Sequence, residues 1–143
     1  MNNRYLFRAK RTDNGEWVEG ALFDGEKHCI IGHTIKFSPY VQNECKILGH
    51  EVERNTICQF TTFSDEDGME ICEGDIVGFI DCTSTENGYS EHYCIGRVLW
   101  DEETGSFQVT ERLSAESNEV LDRGCKVIGN IFDNPELLEV EEW

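Results

Sequence analysis

The chain is short of the residues that favour helices. Alanine occurs only at Ala9, Ala21 and Ala115, and Leu and Ala together number 11 against 29 for Ile, Val and Thr. β-Branched side chains lose rotamer freedom in a helix and suit a pleated surface, so this composition argues against a helical bundle. Proline is scarcer still, at Pro39 and Pro135, and no Pro- or Ser-rich linker or internal repeat is present. Apolar runs stop after a few residues, far short of the ~18 that a membrane span requires. The amino-terminal residues alternate polar with apolar and lack both the apolar centre and the cleavage site of a signal peptide, so a cytoplasmic location and no membrane partner are expected.

Positive charge is also scarce. The 143 residues carry 12 Lys and Arg against 29 Asp and Glu, a formal net charge of −17. The excess is uneven. Residues 1–60 hold eight acids and eight bases; residues 61–100 hold nine acids and only Arg97; residues 101–143 hold twelve acids against Arg112, Arg123 and Lys126. Nucleic-acid affinity starts from cations that neutralise phosphates, so direct nucleic-acid binding is not expected. A field of this sign attracts basic proteins, and it also keeps a small protein dispersed; both readings remain open. Hydrophobic residues make up 38% before glycine is counted, enough for a core, so the charge does not imply disorder.

The seven cysteines (Cys29, Cys45, Cys58, Cys72, Cys82, Cys94 and Cys125) include no Cys-x-x-Cys. Structural zinc sites place ligands in such close pairs, and an odd count fits a closed disulfide framework poorly. Free buried thiols acting as small hydrophobes are expected instead.

Turn signals divide the chain into short extended segments. Asn14-Gly15 separates Tyr5–Lys10 from Glu16–Phe23, a strong hairpin signal because both residue types accept positive φ. Asp24-Gly25 leads into His28–Phe37, which Pro39 ends. A weaker segment, Lys46–Arg54, precedes Thr56–Phe63. Asp67-Gly68 and Glu73-Gly74-Asp75 bracket Met69–Cys72, and Asp75–Asp81 follows. Residues Cys82–Glu91, CTSTENGYSE, have no periodicity and read as a loop. Tyr93–Trp100 and Phe107–Leu113 flank Thr104-Gly105, and Lys126–Phe132 completes the set. Asn134-Pro135 reads as the cap and first residue of a helix of one or two turns. Many short strands with little helix point to a small barrel or sandwich.

Catalytic and metal motifs are few. Asp65-Glu66-Asp67-Gly68 resembles part of a calcium loop, but with Gly68 at its sixth position Phe63 and Gly74 fall where acids are needed. The acids therefore read as a solvated turn. Glu73 and Asp75 flank a turn glycine, where water would leave both ionised rather than separate their pKa values for acid–base work. His28, His33, His50 and His92 are scattered, and no nucleophile elbow or phosphate-binding glycine motif occurs. Trp17 and Trp100 lie inside strands, which favours cross-strand packing. No cofactor or metal is expected.

Several segments together resemble one family. Asn55-Thr56-Ile57-Cys58-Gln59-Phe60-Thr61, Asp65 to Gly68, and Glu70-Ile71-Cys72-Glu73-Gly74-Asp75-Ile76-Val77 are similar to the YopX-like pattern T-x-x-Q-x-T-G, D-x-x-G and E-I-x-E-G-D-I-V. Phe7-Arg8-Ala9, Trp17-Val18-Glu19-Gly20, Gly96-Arg97-Val98 with Trp100 to Phe107, and the closing run Val127 to Leu137 extend the likeness over nearly the whole chain. Thr62 departs from it, standing where the family usually has glycine. The resemblance implies small phage and prophage proteins, an SH3-like β-barrel fold and no established biochemical role. It therefore transfers no catalytic residues, and Gly68, Gly74, Asp75, Gly129 and Asn130 are expected to serve the fold.

The expected architecture is mainly β: an N-terminal β region over residues 1–60, and an acidic SH3-like barrel portion over 61–143 ending in a short helix. The favoured function is a non-enzymatic accessory module that binds a protein partner, with Asp101, Glu102 and Glu103 as the candidate contact residues. An acidic decoy for a basic nucleic-acid-binding protein is the alternative, and a small hydrolase-type enzyme ranks third. Unpaired strand edges also leave room for homo-oligomers.

Overall fold

The computed structural model describes residues 6–36, 45–111, 120–121 and 124–139, and divides the chain into two compact units, Met1–Phe60 and Thr61–Trp143. The described residues form ten strands: β1 Phe7–Lys10, β2 Trp17–Asp24, β3 Cys29–Lys36, β4 Cys45–Glu51, β5 Cys58–Ser64, β6 Glu70–Cys72, β7 Asp75–Thr85, β8 Gly88–Asp101, β9 Ser106–Glu111 and β10 Lys126–Asn130. Their order is β4-β3-β2-β1-β5-β6 in one sheet and β10-β7-β8-β9 in the other.

In the first unit, β1 to β4 form an antiparallel meander. The Asn14-Gly15 corner joins β1 to β2: Gly15 takes φ +71°, its N–H donates to Arg11 O, and Asn14 Oδ1 accepts from Glu16 N–H. β2 pairs with β3 from Ala21↔Gly32 to Asp24↔Cys29, and β3 with β4 from Ile30↔Glu51 to Lys36↔Cys45. The sheet curls far enough for Val52, just after β4, to bridge Arg11 at the end of β1, with Thr12 N–H on Glu51 O and Glu53 N–H on Lys10 O. Ala9, Cys29, Ile31 and Val52 fill the inside of the curl, with Phe7, Val18, Leu22 and Ile57 packed against them. A fully buried aliphatic side chain contributes about 1.5–3 kcal/mol, so this small cluster holds the meander together.

The second unit centres on β7 and β8. Their register runs without a shift from Ile76↔Arg97 to Thr85↔Gly88, while β9 pairs with β8 from Gly96↔Glu111 to Asp101↔Ser106. β10 pairs with β7 only up to Lys126↔Gly78, with a bulge between Val127 and Gly129. One face is buried: Val77, Phe79, Cys94, Val98 and Val109 meet Ile71, Leu121 and Cys125, and Phe63, Phe107, Val120 and Val127 border them.

Three expectations need correcting. The described strands form two open antiparallel sheets and no closed barrel. The segment Cys82–Glu91 is not a loop but the outer half of the β7–β8 hairpin, turning at Glu86-Asn87. The expected terminal helix is a single 3-10 turn, Pro135–Leu138; Asn134 does not cap it through its side chain. That side chain is already engaged, because Asn134 Oδ1 accepts from Asn130 N–H at 3.2 Å.

Candidate functional site

The residues expected to serve the fold all lie in hydrogen-bonded corners of the second unit. In the β5–β6 connection Asp65 and Gly68 close a turn, with Gly68 at φ +82° donating to Asp65 O. Asp65 is not solvated as expected but buried. Its Oδ1 accepts from Asp67 N–H and Met69 N–H at 2.9 and 2.8 Å, and its Oδ2 from Val127 N–H at 3.1 Å. Burial pushes the carboxyl pKa upward, yet these three N–H groups and the nearby Lys126 charge outweigh it and hold the group below its usual range. One carboxylate thus fastens the turn to β10.

The next corner repeats the device. Gly74 takes φ +85°, Asp75 Oδ2 accepts from Cys72 N–H at 2.8 Å, Gly74 N–H reaches Val98 O, and Ile131 N–H reaches Gly74 O. Asp75 is 1% exposed, so the solvated acid pair expected at Glu73 and Asp75 does not form. At the end of β10, Asn130 Oδ1 accepts from Phe132 N–H and Asp133 N–H. A Cβ at Gly129 would come within 2.6 Å of Asn134 Oδ1. At these corners the side-chain oxygens of Asp65, Asp75 and Asn130 accept from backbone N–H groups.

Asp101, Glu102 and Glu103 form the turn between β8 and β9. Asp101 is engaged there: Oδ1 accepts from Glu103 N–H, and Oδ2 from Thr104 Oγ1 and Gln108 Nε2. Glu102 and Glu103 are exposed. His28 Nδ1 meets Glu51 Oε1 at 2.8 Å on the surface, and His50 lines a cavity of about 280 Å³ with Arg11, Thr12, Asp13, Gly49 and Glu51. Arg11 is already bound to Asp13 through Nε and Nη2, at 2.9 and 2.6 Å. The His33 side chain lies outside the described residues, as does Trp143. Trp17 lies under the cations of Arg8 and Lys10, and Trp100 packs edge-on against Phe107 across the strand pair. Among the described residues no three His, Cys, Asp or Glu gather as metal ligands, and no helix is long and apolar enough to cross a membrane.

Of the cysteines, Cys29, Cys58, Cys72, Cys94 and Cys125 are buried thiols, and the Cys45 side chain lies outside the described residues. Burial, with the charges of Asp65, Glu66 and Asp75, pushes the Cys125 thiol up to about 11. Cys82 departs from the expectation and is exposed.

Cys82 belongs to the feature that periodicity missed. Among the described residues no strand pairs with β7 beyond Gly78 or with β8 before Gly96, so there β7 and β8 pair only with each other, from Phe79↔Cys94 to Thr85↔Gly88. At ~3.4 Å per residue this two-stranded arm is about 20 Å long. One of its faces carries Ile80 opposite Tyr93, Cys82 opposite Glu91, and Ser84 opposite Tyr89. Ile80, Tyr89 and Tyr93 are 61%, 64% and 65% exposed, an apolar strip interrupted by Glu91 at the far end of β8 from Asp101. Two details hold the strip in shape. Tyr93 lies across Gly78, where a Cβ would collide with its hydroxyl. The Tyr89 hydroxyl shares its proton between Cys82 Sγ at 3.0 Å and Glu91 Oε1 at 2.8 Å, and these contacts raise its pKa. Asp81, Glu86 and Glu91 charge the arm, and no Lys or Arg occurs from residue 55 to residue 96.

A family model described as "YopX protein" matches residues 6–139. Among solved structures the chain is similar to protein EF1440 from Enterococcus faecalis, at 26% identity and a TM-score of 0.61, over 93% of this chain and 96% of that one. No curated protein matches it.

Proposed function

This chain belongs to the YopX family, and from that premise we propose that it is a non-enzymatic binding module that holds a basic protein partner on the β7–β8 arm. The observation that carries the reading is the apolar strip Ile80, Tyr93 and Tyr89 on a ribbon flanked by acids and free of Lys and Arg. Exposed apolar groups ringed by charge of one sign suit a partner whose own apolar residues lie among cations. The accessory role in phages or other mobile elements implied by the resemblance accords with a small module of this kind. The resemblance implies an SH3-like arrangement of residues 61–143, and the strands β6 to β10 there accord with it.

The test is binding of a fluorescent lysine- and valine-rich peptide to the full chain, read by anisotropy at low and high salt. Ile80→Asp is expected to weaken binding by about tenfold or more while the melting temperature stays unchanged. A glutamate-rich peptide that binds as well as the basic one would overturn the reading.

The decoy reading draws on a separate observation, the −17 carried by residues 61–143. Displacement of DNA from a basic DNA-binding protein, lost on charge reversal at Asp101, Glu102 and Glu103, would favour it. An affinity that stays flat with salt would remove it.

A further inference from the structure

The arm presents an edge as well as a face. β10 leaves β7 at Gly78, so from Phe79 to Thr85 one side of β7 has no neighbouring strand among the described residues. In an antiparallel pair every second residue turns its N–H and C=O away from its partner, and along these seven residues those groups line the open side. Natural proteins block such edges with proline, lysine or a bulge. None occurs here: residues 79–85 contain no Pro or Lys, and the β7–β8 register is unbroken. The one charged group is Asp81, on the face opposite Ile80. It disfavours an acidic strand, and it disfavours a second copy of this edge, which would set Asp81 near its own counterpart on a molecule of net charge −17. A cationic strand meets no such penalty.

We infer that the open edge of β7, Phe79–Thr85, takes up an extended basic segment of the partner protein as an added strand. Backbone hydrogen bonds supply the grip and alternate side chains the selectivity. The residue beside Ile80 is apolar and packs on the Ile80–Tyr93 strip, while the residue beside Asp81 is Lys or Arg on the other face. A two-stranded ribbon alone in water is of marginal stability, and a third strand supplies the missing support. This mode of binding rests on the proposed function and adds to it the main-chain recognition of an extended strand.

The test uses the full chain and an eight-residue peptide alternating Lys and Val, together with two versions N-methylated at alternate residues, one set at Lys and the other at Val. All three carry the same charge and side chains, but only one peptide edge can face β7. One methylated set is expected to weaken binding by roughly tenfold or more through lost backbone hydrogen bonds, while the other binds like the parent. Hydrogen exchange should show new protection at alternate amides of residues 79–85 with the parent peptide. Equal binding of all three peptides overturns the added strand and leaves the basic-partner reading standing. Binding of none of them at low salt overturns both. Protection of the same amides without peptide, rising with protein concentration, assigns the edge to a second copy and overturns the proposal.

Discussion

Among the described residues Thr62 carries the clearest backbone strain. It sits in β5 at φ +79°, where a Cβ crowds its own backbone and a β-branched side chain crowds it further. The left-handed region costs such a residue about 1–2 kcal/mol, and glycine would remove most of that while costing somewhat less in chain entropy. Thr62 is exposed, so no packing is lost on substitution. Thr62→Gly is expected to raise stability by about 1 kcal/mol in urea unfolding. A decrease would show that the threonine side chain holds this conformation rather than merely tolerating it. The departure from the family pattern was visible in the sequence, but its consequence was not: the backbone keeps the angle that glycine would have taken. Cys82 gives a second check at this scale. Its exposure, against the burial of Cys29, Cys58, Cys72, Cys94 and Cys125, makes it the thiol among these six that iodoacetamide should label first in the native protein. Peptide mapping that finds Cys125 labelled before Cys82 would contradict the described packing.

Among elements, the corner at Asp65 is where the fold depends most on ionisation. The carboxyl pKa is depressed in the folded chain, so between the folded value and the ordinary ~3.9 the unfolded chain binds more protons. Stability from this group is therefore fully present above about pH 4 and is lost as pH falls through the folded pKa. Asp65→Asn keeps an oxygen acceptor but loses the charge facing three N–H groups. It is expected to cost about 1–3 kcal/mol at pH 7 and to flatten the acid limb of a stability–pH curve; an unchanged acid limb would place that dependence elsewhere. Gly129→Ala tests the neighbouring corner: the new methyl must displace the Asn134 side chain, at about 1–3 kcal/mol. The two acids at the heart of these corners were read from sequence as solvated, because an acid beside a turn glycine is usually wet. Nothing in the residue string reveals that β10 returns 62 positions later to bring Val127 N–H to Asp65. The strands were legible where one face is buried, as in Tyr93–Trp100, since burial imposes alternation. The arm was not. The described side chains of residues 82–91 are exposed and the segment is held by backbone pairing, so CTSTENGYSE has no hydrophobic period to find.

Over the whole molecule the unequal charge sets an energy that single contacts do not repair. The ion pairs Arg11–Asp13, Arg54–Asp24 and Lys126–Asp67 lie at the surface, and surface pairs contribute about 0–1 kcal/mol each. Two of the three lie in the electrically neutral first sixty residues. In residues 61–143 the acids outnumber the bases by 17 and repel one another within the compact state. Raising salt from about 0.1 M to 1 M shortens the screening length from about 10 Å to about 3 Å. Screening weakens both the attraction within the few pairs and the repulsion among the many acids, and the repulsion is the larger sum. The melting temperature at pH 7 is therefore expected to rise with sodium chloride, and the rise should shrink as pH approaches the sequence pI near 4.4. Calorimetry at both pH values separates this from a general salt effect on apolar burial, which would persist at the pI. A melting temperature that falls with salt at pH 7 would mean that attractive pairs dominate after all. The acidic surface would then stabilise the free protein, instead of being a repulsion that a basic partner relieves.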